Sequence, residues 1–215
     1  MAKKESTFLN MTLTLLIITA VASVALAYVY NLTKDPISEA KRKKLQAAIS
    51  IVVPGAENGE IKVDTVPSFD GTGNLEFYTV TEDGNIIGTA VKTFTNSGFS
   101  GYMAVMVGFD QNGQIIDSNV LEHSETPGLG DKTSKSVSKW NEQFINKDPK
   151  TYNLKVKKDG GDVDAITAAT ISSRAYSDAL QRAYNTFMVH NGKSDIKDVD
   201  MNSGSTVNSG STISN

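Results

Sequence analysis

The sequence predicts an α+β chain, with an N-terminal transmembrane helix followed by an antiparallel sheet and flanking helices. Three observations carry this expectation. Residues 8–30 run without a charged side chain. Two pairs of apolar segments are joined by turns too short for a parallel crossover. A segment near the C-terminus spaces its apolar residues at a helical period. The boundaries that follow are a tail at 1–7, an anchor at 8–30, a folded domain at 31–196 and a Ser/Gly/Asn-rich tail at 197–215.

At about 1.5 Å per residue the uncharged stretch makes roughly 34 Å of helix, enough to cross the core of a lipid bilayer. Its eleven Leu, Ile, Val and Phe residues contribute roughly −3 to −7 kcal/mol to insertion before its polar residues are deducted. Lys3, Lys4 and the small-x-small triplet Ala25-Leu26-Ala27 also fit a cleaved signal peptide. Against cleavage, the apolar run continues through Tyr28, Val29 and Tyr30, so a lasting anchor is expected. Charge does not settle its orientation. Lys34 and the run Lys41-Arg42-Lys43-Lys44 outnumber Lys3 and Lys4, and a positive-inside count puts the large domain in the cytoplasm.

Asp35-Pro36 reads as the cap and first residue of a second helix, with Ile37, Ala40, Leu45, Ala48, Ile49 and Val52 on one face and a stop at Pro54-Gly55. Its basic run reads as a solvated face, or as a contact for anionic headgroups or an acidic partner. Strands at 75–81 and 86–94 flank Glu82-Asp83-Gly84-Asn85, and strands at 102–109 and 115–121 flank Asp110-Gln111-Asn112-Gly113. Helices are expected to cover one side of this sheet. Pro127, Gly128 and Gly130 break regular structure. Beyond them Val137, Trp140 and Phe144 form the stripe of a further helix, which makes Trp140 a core residue. In the last helix Ile171, Ala175, Ala179, Leu180, Ala183, Tyr184, Phe187 and Met188 form a buried stripe, with Arg174, Ser177 and Gln181 on the polar face. After residue 193 the chain repeats Asn-Ser-Gly-Ser-Thr at 202–206 and 208–212, a composition that reads as disordered.

Composition excludes several functions. The chain has 215 residues, 39% of them hydrophobic, enough for one sizeable domain. It has no Cys, which removes Cys-ligated clusters, thiol chemistry and disulfides. His123 and His190 are its only imidazoles, so no metal site is expected and any redox cofactor should be organic. A net charge of −3 without a basic stripe argues against nucleic acid. No Gly-x-Gly-x-x-Gly loop follows a strand, and no nucleophile elbow surrounds Ser124. No catalytic residue is expected, and His123 reads as a neutral side chain holding its loop.

The most informative stretch is Asp164-Ala165-Ile166-Thr167-Ala168-Ala169-Thr170-Ile171-Ser172-Ser173, a cluster of hydroxyls at the mouth of the last helix. The first turn of a helix offers free N–H groups and a positive dipole end, a natural seat for phosphate. Ser and Thr are equally ordinary caps, and spacing alone leaves both readings open. The stretch resembles the flavinylation motif of the FMN-binding domain family, Asp-x-x-(Ser/Thr)-(Gly/Ala)-Ala-Thr-x-(Ser/Thr). That resemblance implies FMN joined by a phosphoester to Thr170, with Asp164, Thr167, Ala169 and Ser172 at matching positions. Ala168 stands where Gly is commonest.

A second stretch, His123-Ser124-Glu125-Thr126-Pro127-Gly128-Leu129-Gly130-Asp131-Lys132, resembles the His-x-Glu-Thr-Pro-Gly-Leu-Gly loop of two related families. Gly98-Phe99-Ser100-Gly101-Tyr102 fits the same pattern. The match is closer to the G subunit of the Rnf electron-transport complex than to the C subunit of the Na⁺-translocating NADH:quinone reductase. The resemblance implies cofactor contacts from Glu125, Thr126, Leu129, Gly130, Thr167, Ala168, Ala169, Thr170 and Ser172. It further implies an extracytoplasmic domain on the bacterial inner membrane, other membrane subunits as partners, and a flavin transferase for maturation. Arg174 is added on geometry, since it lies one turn after Thr170 and helical side chains lean towards the N-terminus. The alternatives are the quinone-reductase component, a stand-alone flavinylated carrier, or a non-redox anchored module in which Thr170 only caps the helix.

Overall fold

A computed structural model describes residues 8–193; the expectations for residues 1–7 and for the C-terminal tail lie outside them. The elements, in order, are α1 (Phe8–Val52), β1 (Glu60–Pro67), β2 (Asn74–Glu82), β3 (Asn85–Gly98), β4 (Gly101–Phe109), β5 (Ile115–His123), three 3₁₀ turns (Gly130–Thr133, Trp140–Phe144, Lys157–Asp159) and α2 (Thr170–His190). The described residues divide into two compact units that part between Leu45 and Gln46.

In the first unit the helix is long and apolar enough to cross a membrane. The Thr and Ser hydroxyls of residues 8–30 are satisfied internally: Thr12 donates to the Phe8 carbonyl at 2.9 Å, Thr14 to Asn10 at 2.7 Å, Thr19 to Leu15 at 3.0 Å, and Ser23 to Thr19 at 2.7 Å. Such back-bonding leaves no hydroxyl donor of these residues needing water, which suits an apolar medium. The expected helix start at Asp35-Pro36 is not a break, because Pro36 lies inside the one continuous helix. A proline costs a helix its bond to the carbonyl four residues back, and here one missing bond does not end the element.

The second unit is built on a five-stranded antiparallel meander in the order β1-β2-β3-β4-β5. The Asp83-Gly84 turn has φ of 50° and 80°, the double positive-φ geometry that lets a two-residue hairpin match strand twist. In the β4–β5 turn Asp110 Oδ1 accepts the N–H groups of Asn112 and Gln114, both at 2.8 Å. On one face α2 lays Tyr176, Ala179, Leu180, Ala183, Tyr184 and Phe187 over Leu75, Phe77, Val91, Met103, Val105, Val107 and Phe109. The other face is also covered, contrary to the one-sided expectation. There Ala48, Ile49, Val52, Val53 and Ala56 are buried, and the chain comes so close that a Cβ at Gly108 would overlap the Val52 carbonyl.

Three further differences from expectation have physical causes. β1 was not anticipated, because it is an edge strand whose alternation points mostly to solvent; only Val66 is buried. The helix expected around Val137, Trp140 and Phe144 is replaced by 3₁₀ turns. Its serines compete with helical bonding: Ser138 Oγ donates to the Lys132 carbonyl at 2.7 Å and accepts the Trp140 N–H at 3.1 Å. Val137 is consequently exposed, while Trp140 packs edge-on against Phe144 and Tyr176 at 5.4 and 5.2 Å. Ser177, read as polar-face, is buried, and Ile171, read as part of the stripe, is 47% exposed.

Candidate functional site

Helix α2 begins at Thr170, with Ala169 at the cap position and no side-chain capping bond. The first helical bond runs from the Ser173 N–H to the Ala169 carbonyl at 3.0 Å. The N–H groups of Thr170, Ile171 and Ser172 therefore open the helix without an acceptor among the described residues. Thr170 occupies the first helical position rather than the cap, and the capping explanation of its hydroxyl does not apply.

The turn before the helix is locked from within. Ser173 Oγ accepts the Ile166 N–H at 2.9 Å and donates to the Ala169 carbonyl at 3.0 Å, while the Ala169 N–H closes a turn on the Ile166 carbonyl at 3.0 Å. Within that turn Ala168 has φ +62°, a left-handed backbone that glycine adopts freely and a Cβ disfavours. A glycine at this position would adopt that backbone without strain. Asp164 is clamped by its backbone: its N–H donates to Gln143 Oε1 at 2.8 Å, and its carbonyl accepts Trp140 Nε1–H at 2.5 Å. Its side chain faces solvent, paired with Lys157 at 2.7 Å.

The His123–Lys132 loop arrives at the same place. The Glu125 N–H donates to His123 Nδ1 at 3.2 Å, the loop-holding role expected of that histidine. The Glu125 side chain is buried, 5% exposed; its Oε2 accepts the Ser172 hydroxyl at 2.8 Å and its Oε1 the Ser100 N–H at 3.3 Å. One carboxyl group thus joins the loop, the tip of the β3–β4 hairpin and the first turn of α2.

These elements enclose an open pocket of about 290 Å³, lined by Phe99, Glu125, Thr126, Leu129, Gly130, Ala168, Ala169, Thr170, Ile171 and Ser172. Eight of the ten residues expected to contact a cofactor line it. Thr167 is exposed beside it, and Arg174 is turned to Asp159, with bonds of 2.7 and 2.8 Å from Nε and Nη2. The Arg174 guanidinium in turn lowers the Asp159 carboxyl below its ordinary value. Phe99 and Ile171 line the pocket but were not anticipated in it. An aromatic side chain on the hairpin tip between Gly98 and Gly101 was the available signal for Phe99.

The donor set suits a phosphorylated planar ring. Free helix N–H groups could meet a phosphate, exposed Phe99, Leu129 and Ile171 present apolar surface for a ring, and Gly130 leaves the backbone free of a side chain. No group of His, Asp or Glu able to hold a metal occurs among the described residues.

A family model of the FMN-binding domain matches residues 98–185, from the tip of the β3–β4 hairpin into α2. The G subunit of the ion-translocating oxidoreductase complex of Aliivibrio fischeri is 31% identical over 181 residues, covering 80% of this chain and 86% of that protein. Its counterpart in Vibrio vulnificus is 31% identical over 186 residues, with 83% and 88% covered. That of Haemophilus influenzae is 33% identical over 172 residues, with 77% and 83% covered. At this identity and coverage the chain belongs to the family formed by the G subunits of ion-translocating oxidoreductase complexes.

Proposed function

We propose that the chain is a membrane-anchored electron carrier with FMN held by a phosphoester on Thr170, serving as one component of an Rnf-type ferredoxin:NAD oxidoreductase coupled to Na⁺ or H⁺ translocation. The observation that carries this reading is the convergence of both sequence motifs on one pocket, at a helix N-terminus whose first residue is Thr170.

In this reading a flavin transferase supplies the group from FAD: the Thr170 hydroxyl loses its proton, gains the FMN phosphoryl group, and AMP departs. The bound flavin then supplies reversible storage of electrons. The chain's own residues bind and orient it. The N–H groups of Thr170, Ile171 and Ser172 would donate to the phosphate oxygens, and Thr126, Leu129, Gly130, Ala168 and Ala169 wall the pocket. Thr167 and Arg174 would flank the attachment point, although Arg174 is bonded to Asp159 here. Ferredoxin, NAD and the ion bind other subunits. Residues 8–30 hold the chain in the inner membrane and residues 31–196 act on its extracytoplasmic side, where a covalent link keeps the flavin from diluting away. The basic run 41–44, which counts against that orientation, lies within helix α1 rather than in a juxtamembrane loop.

The test is intact mass and in-gel flavin fluorescence of denatured protein co-expressed with a flavin transferase, comparing wild type with Thr170→Ala. An FMN-sized mass increment with fluorescence is expected in wild type and absent in the variant. A wild-type protein without adduct, under conditions that modify a control family member, would leave a non-redox binding module in its place.

A further inference from the structure

We infer that Glu125 is a redox-tuning residue, whose negative charge beside the pocket holds the potential of the flavin proposed above at a low value. Four observations lead to it, and the inference rests on that functional reading.

Glu125 lines the pocket and is 5% exposed. A buried acid ordinarily sits against a cation, yet no Lys, Arg or His forms an ion pair with Glu125 among the described residues. Its side-chain partners are two neutral donors, the Ser172 hydroxyl and the Ser100 N–H. The slot that holds it is shaped by glycines from two different segments. A Cβ at Gly130 would overlap Oε2 and the Ser172 hydroxyl, and a Cβ at Gly98 would lie 2.5 Å from Oε1.

A simple loop staple does not require this arrangement, because a neutral glutamine would bridge the same hydroxyl and N–H. What glutamate adds is charge, unneutralised and screened little by water. Two-electron reduction of an isoalloxazine brings in two electrons with either one proton, leaving an anionic ring, or two protons, leaving a neutral one. A fixed carboxylate lining the pocket opposes the added charge, disfavours the one-proton outcome, and lowers the potential. That is the useful direction for a carrier that must pass electrons onward.

Glu125→Gln keeps size and hydrogen-bonding capacity and removes charge. Ser172→Ala keeps the charge and removes its stronger donor, leaving the charge less compensated. Both variants and wild type are flavinylated, checked for the mass increment on Thr170, and titrated spectroelectrochemically at pH 9. The expected result is a shift of the reduced-to-oxidised equilibrium of about tenfold towards reduced flavin in Glu125→Gln, about 30 mV for two electrons. Ser172→Ala should move it the opposite way. A merely structural role would loosen both variants and move both potentials alike, which would overturn the inference. So would a loaded Glu125→Gln protein with the wild-type potential, or a Glu125→Gln protein that takes no flavin while wild type does, because Glu125 would then act in attachment. Wild type without an adduct, by contrast, is the failure of the functional reading, and it appears at the mass measurement before any potential is read.

Discussion

The first turn of α2 and the rest of that helix are one element, yet they obey different rules. From Ala175 onward the helix is defined by what it covers: Tyr176, Ala179, Leu180 and Ala183 are 0% exposed against the sheet. Arg182 there is a structural clasp, donating to Asp70 at 2.7 Å, to Asp178 at 3.2 Å and to the Phe94 carbonyl at 2.5 Å. The first turn has no capping side chain, keeps its N–H groups open, and is followed by an arginine in a half-exposed pair with Asp159. The contrast shows how a domain leaves a helix terminus open: burial is concentrated where the helix lies on the sheet, so the terminus need not be spent on holding the fold.

The comparison is broken most directly by cutting each part. Leu180→Ala should cost about 2–5 kcal/mol of unfolding free energy through lost burial and a cavity, whereas Thr170→Ala should change it by no more than about 0.5 kcal/mol. Urea denaturation of the two variants decides it, and equal losses would mean that the first turn is as structural as the rest.

A smaller effect tests the clasp by pH. Burial alone would raise the Asp70 carboxyl, but hydrogen bonds from Ser68, Thr72 and Arg182 outweigh it and bring the value down to about 2. A carboxyl lowered on folding stabilises the fold above its unfolded value near 4, and that contribution is lost as pH falls through 2. Between pH 5 and pH 2 wild type should therefore lose about 1–2 kcal/mol more than Asp70→Asn; parallel pH profiles would show that the clasp does not depend on charge.

An effect on stability as small as that of Thr170→Ala belongs to Arg174→Ala, within about 0.5 kcal/mol because its pair with Asp159 is exposed. The comparison requires its effect to appear elsewhere, as severalfold slower flavin attachment or a shifted potential. If loading, potential and stability all match wild type, Arg174 is only a surface residue.

Much of this arrangement was legible in the sequence, and the gaps have reasons. Asp83-Gly84 and Asp110–Gly113 placed two hairpins because their conformations are local. β1 escaped notice because an edge strand with a single buried side chain leaves a weak pattern. The 3₁₀ turns between residues 130 and 144 escaped it because serine bonding to backbone is decided by neighbours in space. Resemblance marked both motifs. The bond from Ser172 to Glu125 crosses 47 residues, so no local pattern reports it, and Phe99 enters the pocket only once β3 and β4 are paired.

The near-contact of the Val52 carbonyl with Gly108 sets where this protein can be cut free of its membrane. Severing the chain between the apolar span and residue 45 would leave Ala48, Ile49, Val52 and Val53 seated over the strands, and a released fragment should stay soluble. Severing it beyond residue 56 would bare main chain at Gly108, where the nearest neighbours that a side chain would meet all belong to Val52. Shedding by a protease and trimming by an engineer are bound by the same limit: the lid of the sheet is encoded at the end of the anchor helix.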